Sequence, residues 1–247
     1  MALFEARHLH KRFGQQVVLE DISLSFEAGE LSGIMGPNGA GKTTCFNVLT
    51  GRYKPDRGRV LFDGADITGL SPHAIVEKGI SRSFQIMSLF DDYTALDNVV
   101  IGLPEVRRRG FHALHALDAD TETHDRAAEL LRRVGLAGRE HENAKRLSYG
   151  ERRALEIGVA LATEPVLLFV DEPTAGLGAS ATARLAELIS ELKRQTTIVV
   201  IEHDMRFLFG LADRISVIHW GQVIAEGTPD ALRENAWVQR SNLGALA

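Results

Sequence analysis

Cysteine is nearly absent from this chain: Cys45 is the only one in 247 residues. That excludes an intrachain disulfide or a zinc knuckle and fits a reducing compartment. At its place just past Thr43, Cys45 reads as a buried, inert thiol. A positive excess is also missing. The 28 Lys and Arg against 33 Asp and Glu give a net charge of −5, whereas a general nucleic-acid binder carries a basic face. No nucleic-acid partner is expected. Long apolar runs are missing too. Residues 166–170 and 198–201 are among the longest, far short of the roughly 20 needed to span a bilayer. Any membrane part is therefore expected from a partner. Residues 1–8 have neither the charged start nor the apolar stretch of a secretory signal, and none is expected. The nine histidines include no pair at zinc-helix spacing with a carboxylate, so no metal is expected beyond one that accompanies a nucleotide.

What is present suits one globular domain: 45% hydrophobic and 25% charged residues in a chain long enough to bury a large core. Residues 3–24 alternate apolar and polar positions and predict antiparallel strands. Residues 31–35 form a short apolar run ending in a Gly/Pro/Asn cluster, a buried strand feeding a loop. A helix over 43–49 follows, closed by Gly51 and Pro55, and then a strand at 60–64. From 89 to 150 strand-like runs vanish. The stripe Ala127, Ala128, Leu130, Leu131, Val134 marks a helix, and Arg107, Arg108 and Arg109 with His112 and His115 make the most basic patch, read as a solvated helix end or loop, with a docking contact as the minor reading. The core pattern resumes with a strand at 166–170, a helix through Leu185, Leu188, Ile189 and Leu192, and a strand at 196–201. A hairpin at 215–219 and 222–225 flanks Trp220-Gly221, and a short helical tail runs from 228. Alternation of this kind predicts a mainly parallel sheet in an α/β fold.

Two motifs carry chemistry. Gly36-Pro37-Asn38-Gly39-Ala40-Gly41-Lys42-Thr43 satisfies G-x-x-x-x-G-K-[ST] between a predicted strand and helix. Glycines there let successive backbone N–H groups turn inward on an anion, and the helix adds its positive end. Lys42 can reach the β- and γ-phosphates of a nucleotide, and the Thr43 hydroxyl can ligate Mg²⁺. Asp171 and Glu172 end the strand that begins at 166, where ligands bind in open α/β sheets. One carboxylate there can hold Mg²⁺ through water, and the next can polarise an attacking water. Alone, Asp-Glu-Pro after a strand is more often a cap or turn.

Leu147-Ser148-Tyr149-Gly150-Glu151 lies between these motifs and Glu202-His203-Asp204-Met205 after them. With them the sequence resembles the ATP-binding subunits of ABC transporters, from Phe13 to about Gly227. The resemblance implies an α/β P-loop NTPase (RecA-like) core with an antiparallel β subdomain and an inserted α-helical subdomain. The core would span about 1–88 and 155–227, the helical part about 89–154 and a short tail 228–247. It implies ATP and Mg²⁺ as cofactors. Phe13 would stack on adenine, and Gly36, Pro37, Asn38, Gly39, Ala40, Gly41, Lys42, Thr43 and Thr44 would hold the phosphates. Thr43, Gln85 and Asp171 would meet Mg²⁺. Glu172, His203 and Gln85 would be catalytic, and Ser148 and Gly150 would close on the ATP of a second protomer. Each residue also has a plainer role: Phe13 as core packing, Gln85 as a loop polar residue, Ser148 and Gly150 as a cap for a helix beginning near Glu151, His203 as a satisfied histidine.

Three positions depart from the family pattern: Tyr149 stands where Gly is common, Glu151 where Gln is common, and Gly178 where Asp is usual. The last puts hydrogen bonding between the two nucleotide sites in question. Ala175-Gly176-Leu177, the bulky signature residue, Glu-His-Asp-Met and Arg82-Ser83-Phe84-Gln85 resemble the importers of branched-chain or other hydrophobic amino acids, urea and related amides. That implies partner permease subunits, a second ATP-binding subunit or a homodimer, an extracytoplasmic solute-binding protein, and a peripheral place on the cytoplasmic face of the inner or plasma membrane. A soluble ABC-type ATPase and an exporter subunit are the alternative readings of the same engine.

Overall fold

The computed structural model describes residues 2–83, 89–109, 121–236 and 238. Ten strands form one mixed sheet: β1 (Phe4–Phe13), β2 (Gln16–Phe26), β3 (Leu31–Met35), β4 (Arg57–Phe62), β5 (Ala65–Asp66), β6 (Ile80–Arg82), β7 (Leu167–Asp171), β8 (Thr197–Ile201), β9 (Arg214–His219) and β10 (Gln222–Gly227). Their order is β5-β4-β1-β2-β10-β9-β3-β8-β7-β6. Strands β9, β3, β8, β7 and β6 are parallel to one another. The block β5-β4-β1-β2 is antiparallel. It joins the rest through one parallel pair, Gln222 with Asp21.

The sequence explains this division. Strands β3, β7 and β8 are buried along their whole length, as expected of parallel strands covered on both faces. Their side chains alternate between two cores: Leu168, Val170, Ile198 and Val200 join one, while Leu167, Phe169, Val199 and Ile201 join the other. In β1 and β2 only every second or third residue is buried, including Phe4, Ala6, Leu19, Ile22, Leu24 and Phe26, because the other face meets water. The second core is built around Phe169, whose ring meets Phe4, Phe26 and Phe46 at 5.4, 6.2 and 6.0 Å. Phe46 lies on the helix Lys42–Leu49, so the antiparallel block and this helix share one face of the parallel strands.

On the other face lie the helices Ala95–Gly102, Thr121–Arg133, Tyr149–Ala162, Ala179–Leu192 and Met205–Leu211. Helix Ala95–Gly102 opens with a capping box between Thr94 and Asp97 and approaches Tyr149–Ala162 closely. A Cβ on Gly102 would sit 2.9 Å from both Ala162 Cβ and Val159 O, so only glycine fits. The predicted helical stripe places Ala127, Leu131 and Val134 in the core.

Several boundaries differ from expectation. The strand predicted from 166 begins at Leu167, because Val166 is half exposed and its amide donates to Gly79 O outside the central ladder. The helix after the Gly-rich loop begins one residue earlier, at Lys42, and the signature helix begins at Tyr149 rather than Glu151. The tail contributes the helix Pro229–Arg233, capped by Thr228. His112, His115 and residues 239–247 lie outside the described residues.

Candidate nucleotide site

Three neighbouring strand ends build the site. In the parallel register Ile34 of β3 pairs with Ile201 of β8, and Ile201 pairs with Asp171 of β7. The next backbone bonds continue the ladder: Glu202 N donates to Ile34 O at 3.1 Å and Glu172 N to Ile201 O at 2.8 Å. The Gly-rich loop, the Asp171-Glu172 pair and the Glu202-His203 pair therefore leave the sheet at one level, at the carboxyl ends of adjacent strands.

The loop is held from behind. A Cβ on Gly36 would lie 2.1 Å from Ile218 O, and Gly221 N donates to Ala40 O at 3.1 Å. Gly39 and Gly41 have φ of 81° and 99°, left-handed values that turn backbone N–H groups inward. Helix Lys42–Leu49 has Gly41 as N-cap, with no side-chain cap and no acidic residue in its first turn. Its first amides stay available to an anion. Lys42 Nζ donates to Gly36 O at 2.7 Å and Pro37 O at 3.0 Å. Burial pulls its ammonium below the ordinary lysine range, and the charges of Glu172, Glu202 and Asp171 oppose that shift. Asn38, Gly39 and Thr43 are exposed, and Thr44 is partly so.

Asp171 is buried, and burial first, then the charge of Glu172, pushes its carboxyl up to about 6. Its Oδ1 has no hydrogen-bond partner among the described residues. Glu172 sits at φ 42°, a left-handed conformation costing a non-glycine residue roughly 1–3 kcal/mol, of the kind that gathers at functional sites. His203 is exposed, and its Nδ1 lies 3.1 Å from Glu202 Oε2.

Phe13 is 45% exposed rather than packed in the core. Its ring stands edge-on to Tyr53 at 5.4 Å with Lys11 Nζ 5.5 Å from its centroid. It ends β1, while β2 runs past the Gly-rich loop at Val18, whose carbonyl a Cβ on Gly41 would approach to 2.9 Å. Ser148 and Gly150 are set apart. They line a cleft of about 710 Å³ with Arg139, Leu177 and Arg184, which none of residues 36–44 borders. Ser148 is the N-cap of helix Tyr149–Ala162, in a capping box with Glu151, so the capping role and an exposed hydroxyl coexist. Gln85 lies outside the described residues.

Two features went unread in the sequence. Glu202 is fully buried and grips both Thr174 and His203; its only signal was its place directly before His203. Tyr149, read as a departure, donates its hydroxyl to Ala175 O at 3.0 Å. Gly178 caps helix Ala179–Leu192 with no side-chain bond.

An anion cradle, a lysine and a carboxylate pair at the carboxyl ends of adjacent strands have the arrangement of a nucleoside-triphosphate site. The ABC transporter family model matches residues 19–175, and the chain belongs to that family, whose ATP-binding subunits hydrolyse ATP to drive transport. It is similar to the high-affinity branched-chain amino acid transport ATP-binding protein LivG of Escherichia coli (strain K12), 39% identical over 98% of each chain. The corresponding protein BraF of Pseudomonas aeruginosa is 37% identical over 98% of each. The fold is similar to an ATP-binding cassette of an ABC transporter solved in its ADP conformation, with a TM-score of 0.88, 31% identity and 99% of each chain covered. Among the described residues no helix is long and apolar enough to cross a membrane.

Proposed function

We propose that this chain powers uptake of branched-chain or other hydrophobic amino acids, or related amides, through partner permease subunits. The observation that carries the ATPase half is the shared level of residues 36–44, Asp171-Glu172 and His203 at adjacent strand ends. The substrate half is supported by two relatives of 39% and 37% identity, over nearly their full length, that are named for branched-chain amino acid transport.

In this reading the N–H groups of residues 36–44 cradle the phosphates of ATP, and Lys42 exchanges its bonds to Gly36 O and Pro37 O for phosphate oxygens. Phe13 offers an exposed ring to adenine. The orphaned, buried Asp171 Oδ1 suits a cation, directly or through water, so Asp171, Thr43 and Gln85 would hold Mg²⁺. Bound there, Mg²⁺ supplies charge neutralisation to the phosphates. Glu172 orients the attacking water and takes its proton. His203 turns Nε2 toward the γ-phosphate because Nδ1 faces Glu202. Ser148 and Gly150 of a second ATP-binding subunit, identical or related, complete the site. Within a single nucleotide-binding domain over 1–247, the helical subdomain of about 89–154 would carry that signature motif beside the core of about 1–88 and 155–227, followed by the tail 228–247. The complex would sit on the cytoplasmic face of the inner or plasma membrane, with an extracytoplasmic solute-binding protein delivering the solute.

The test is affinity purification of a tagged Glu172→Gln variant, locked with ATP, from detergent-solubilised membranes of its own host. Mass spectrometry is expected to find two multi-span membrane proteins, a second cassette subunit and a solute-binding protein. Recovery from cytosol alone, with ribosomal or DNA-associated proteins, contradicts the proposal, and a membrane complex lacking a binding protein points to export.

A further inference from the structure

Two contacts converge on the turn after Glu172. From one side comes Glu202, wholly buried. Its Oε1 accepts from the Thr174 amide at 3.1 Å and from the Thr174 hydroxyl, and its Oε2 accepts from the His203 amide at 2.7 Å. His203 Nδ1 also lies 3.1 Å from Oε2, within ion-pair reach. A buried carboxylate is tolerated only when its oxygens are satisfied, and the three donors give each oxygen a partner. The nearness of Oε2 favours the proton of His203 on Nδ1, the tautomer that leaves Nε2 free to accept.

From the other side comes Tyr149, the first residue of the signature helix. Its hydroxyl donates to Ala175 O at 3.0 Å. Its ring lies against Gly176, where a Cβ would sit 3.3 Å from the ring edge and hydroxyl. The Arg153 guanidinium lies 5.7 Å from the ring centroid, and Arg153 itself pairs with Glu156 at 3.0 Å in the interior. Thr174 and Ala175 are consecutive. One peptide unit therefore joins the carboxylate that orients His203 to the tyrosine that begins the signature helix.

We propose that Glu202 and Tyr149 are positioning residues that hold the 173–176 turn from opposite sides, coupling the orientation of His203 in one nucleotide site to the placement of the signature helix that closes on the other. The proposal rests on the ATPase reading above. It gives Tyr149 a task in this chain, where Gly178 brings no side chain to cross-site bonding.

Tyr149→Phe removes only a hydroxyl, and Thr174→Val removes one donor to Glu202 at nearly constant shape. In the full chain each is expected to leave ATP affinity and KM unchanged and to lower kcat about fivefold, the net worth of one hydrogen bond. Tyr149→Phe, at an exposed residue, is expected to keep the melting temperature, while Thr174→Val lowers it because buried Glu202 is left one donor short. The double variant is expected to fall little further, since one break already frees the turn. Nitrogen NMR of the His203 ring, assigned by its loss in His203→Ala, is expected to show the Nδ1–H form in the wild type and a mixture of tautomers in Glu202→Gln. Wild-type kcat in Tyr149→Phe, multiplicative losses in the double variant, or an unchanged tautomer in Glu202→Gln each overturn the coupling. Glu172→Gln, assayed alongside, separates the two levels. If it is inactive while Tyr149→Phe is normal, only the coupling fails; if it hydrolyses normally, the ATPase reading itself fails.

Discussion

The helix Lys42–Leu49 and the helix Tyr149–Ala162 start in opposite ways. The first follows a left-handed Gly41, with no side-chain cap and no acidic residue in its first turn. The second starts at Ser148, whose Oγ accepts from Glu151 N at 3.4 Å, while the Glu151 carboxylate accepts from Ser148 N at 2.8 Å. Every helix N-terminus carries unpaired amides and about half a positive charge. In the first helix those amides and the neighbouring Lys42 are left for an anion. In the second the chain answers them with its own carboxylate. The same helix-end physics thus makes a binding site in one place and a stable cap in the other. The cap does not bury Ser148, whose hydroxyl is exposed and could exchange its bond to the Glu151 carboxylate for a phosphate oxygen.

The largest effect is expected at the bare end. Glu172→Gln should lower steady-state phosphate release at least about 100-fold, the range of a lost general base, with nucleotide affinity kept. A near-wild-type rate would remove Glu172 from the proton transfer.

Next comes the cost of keeping that end charged. Asp171 is held near 6 by burial and by Glu172, above its ordinary 3.8, so the folded chain keeps a proton that the unfolded chain has lost. Stability therefore declines as pH rises through that window and stays lower above it. Asp171→Asn should stabilise the nucleotide-free chain by about 2–3 kcal/mol at neutral pH, with a smaller gain at acid pH, while Mg²⁺-dependent turnover is lost. Denaturant titration at two pH values checks this, and an unchanged or lower midpoint at neutral pH contradicts it.

The smallest effect belongs to the capped end. Glu151→Ala should cost about 1 kcal/mol of stability. Hydrogen bonding to Ser148 holds the Glu151 carboxyl below the ordinary glutamate range. The stabilisation is therefore complete above that range and fades as pH falls through the lowered value. A stability loss that persists undiminished in acid would mean that the carboxylate is not the source.

The phosphate cradle was legible because its glycine spacing is a local pattern, even though Gly36 and Gly41 answer the distant carbonyls Ile218 O and Val18 O, and Gly39 only its left-handed φ. The parallel strands were legible because full burial leaves unbroken apolar runs. The rest depended on distant partners. Glu202 meets Thr174 across 28 positions, and nothing near Glu202 announces a buried carboxylate. Tyr149 looked like a lost glycine because its partner, Ala175 O, is a backbone atom that leaves no mark in the sequence. Phe13 alone reads as core, yet the end of a hairpin beside the cradle leaves its ring exposed. Val166 opens an apolar run but stands outside the strand, since hydropathy does not report which backbone groups join the ladder.

The central contrast, one helix end open to phosphate and the other closed on itself, is tested most directly by calorimetric titration of ATP into three forms of the isolated chain. The wild type and Ser148→Arg are expected to bind one ATP per chain with the same affinity, and Lys42→Ala is expected to show no saturable binding. Binding that survives Lys42→Ala, or that is lost in Ser148→Arg, would contradict it.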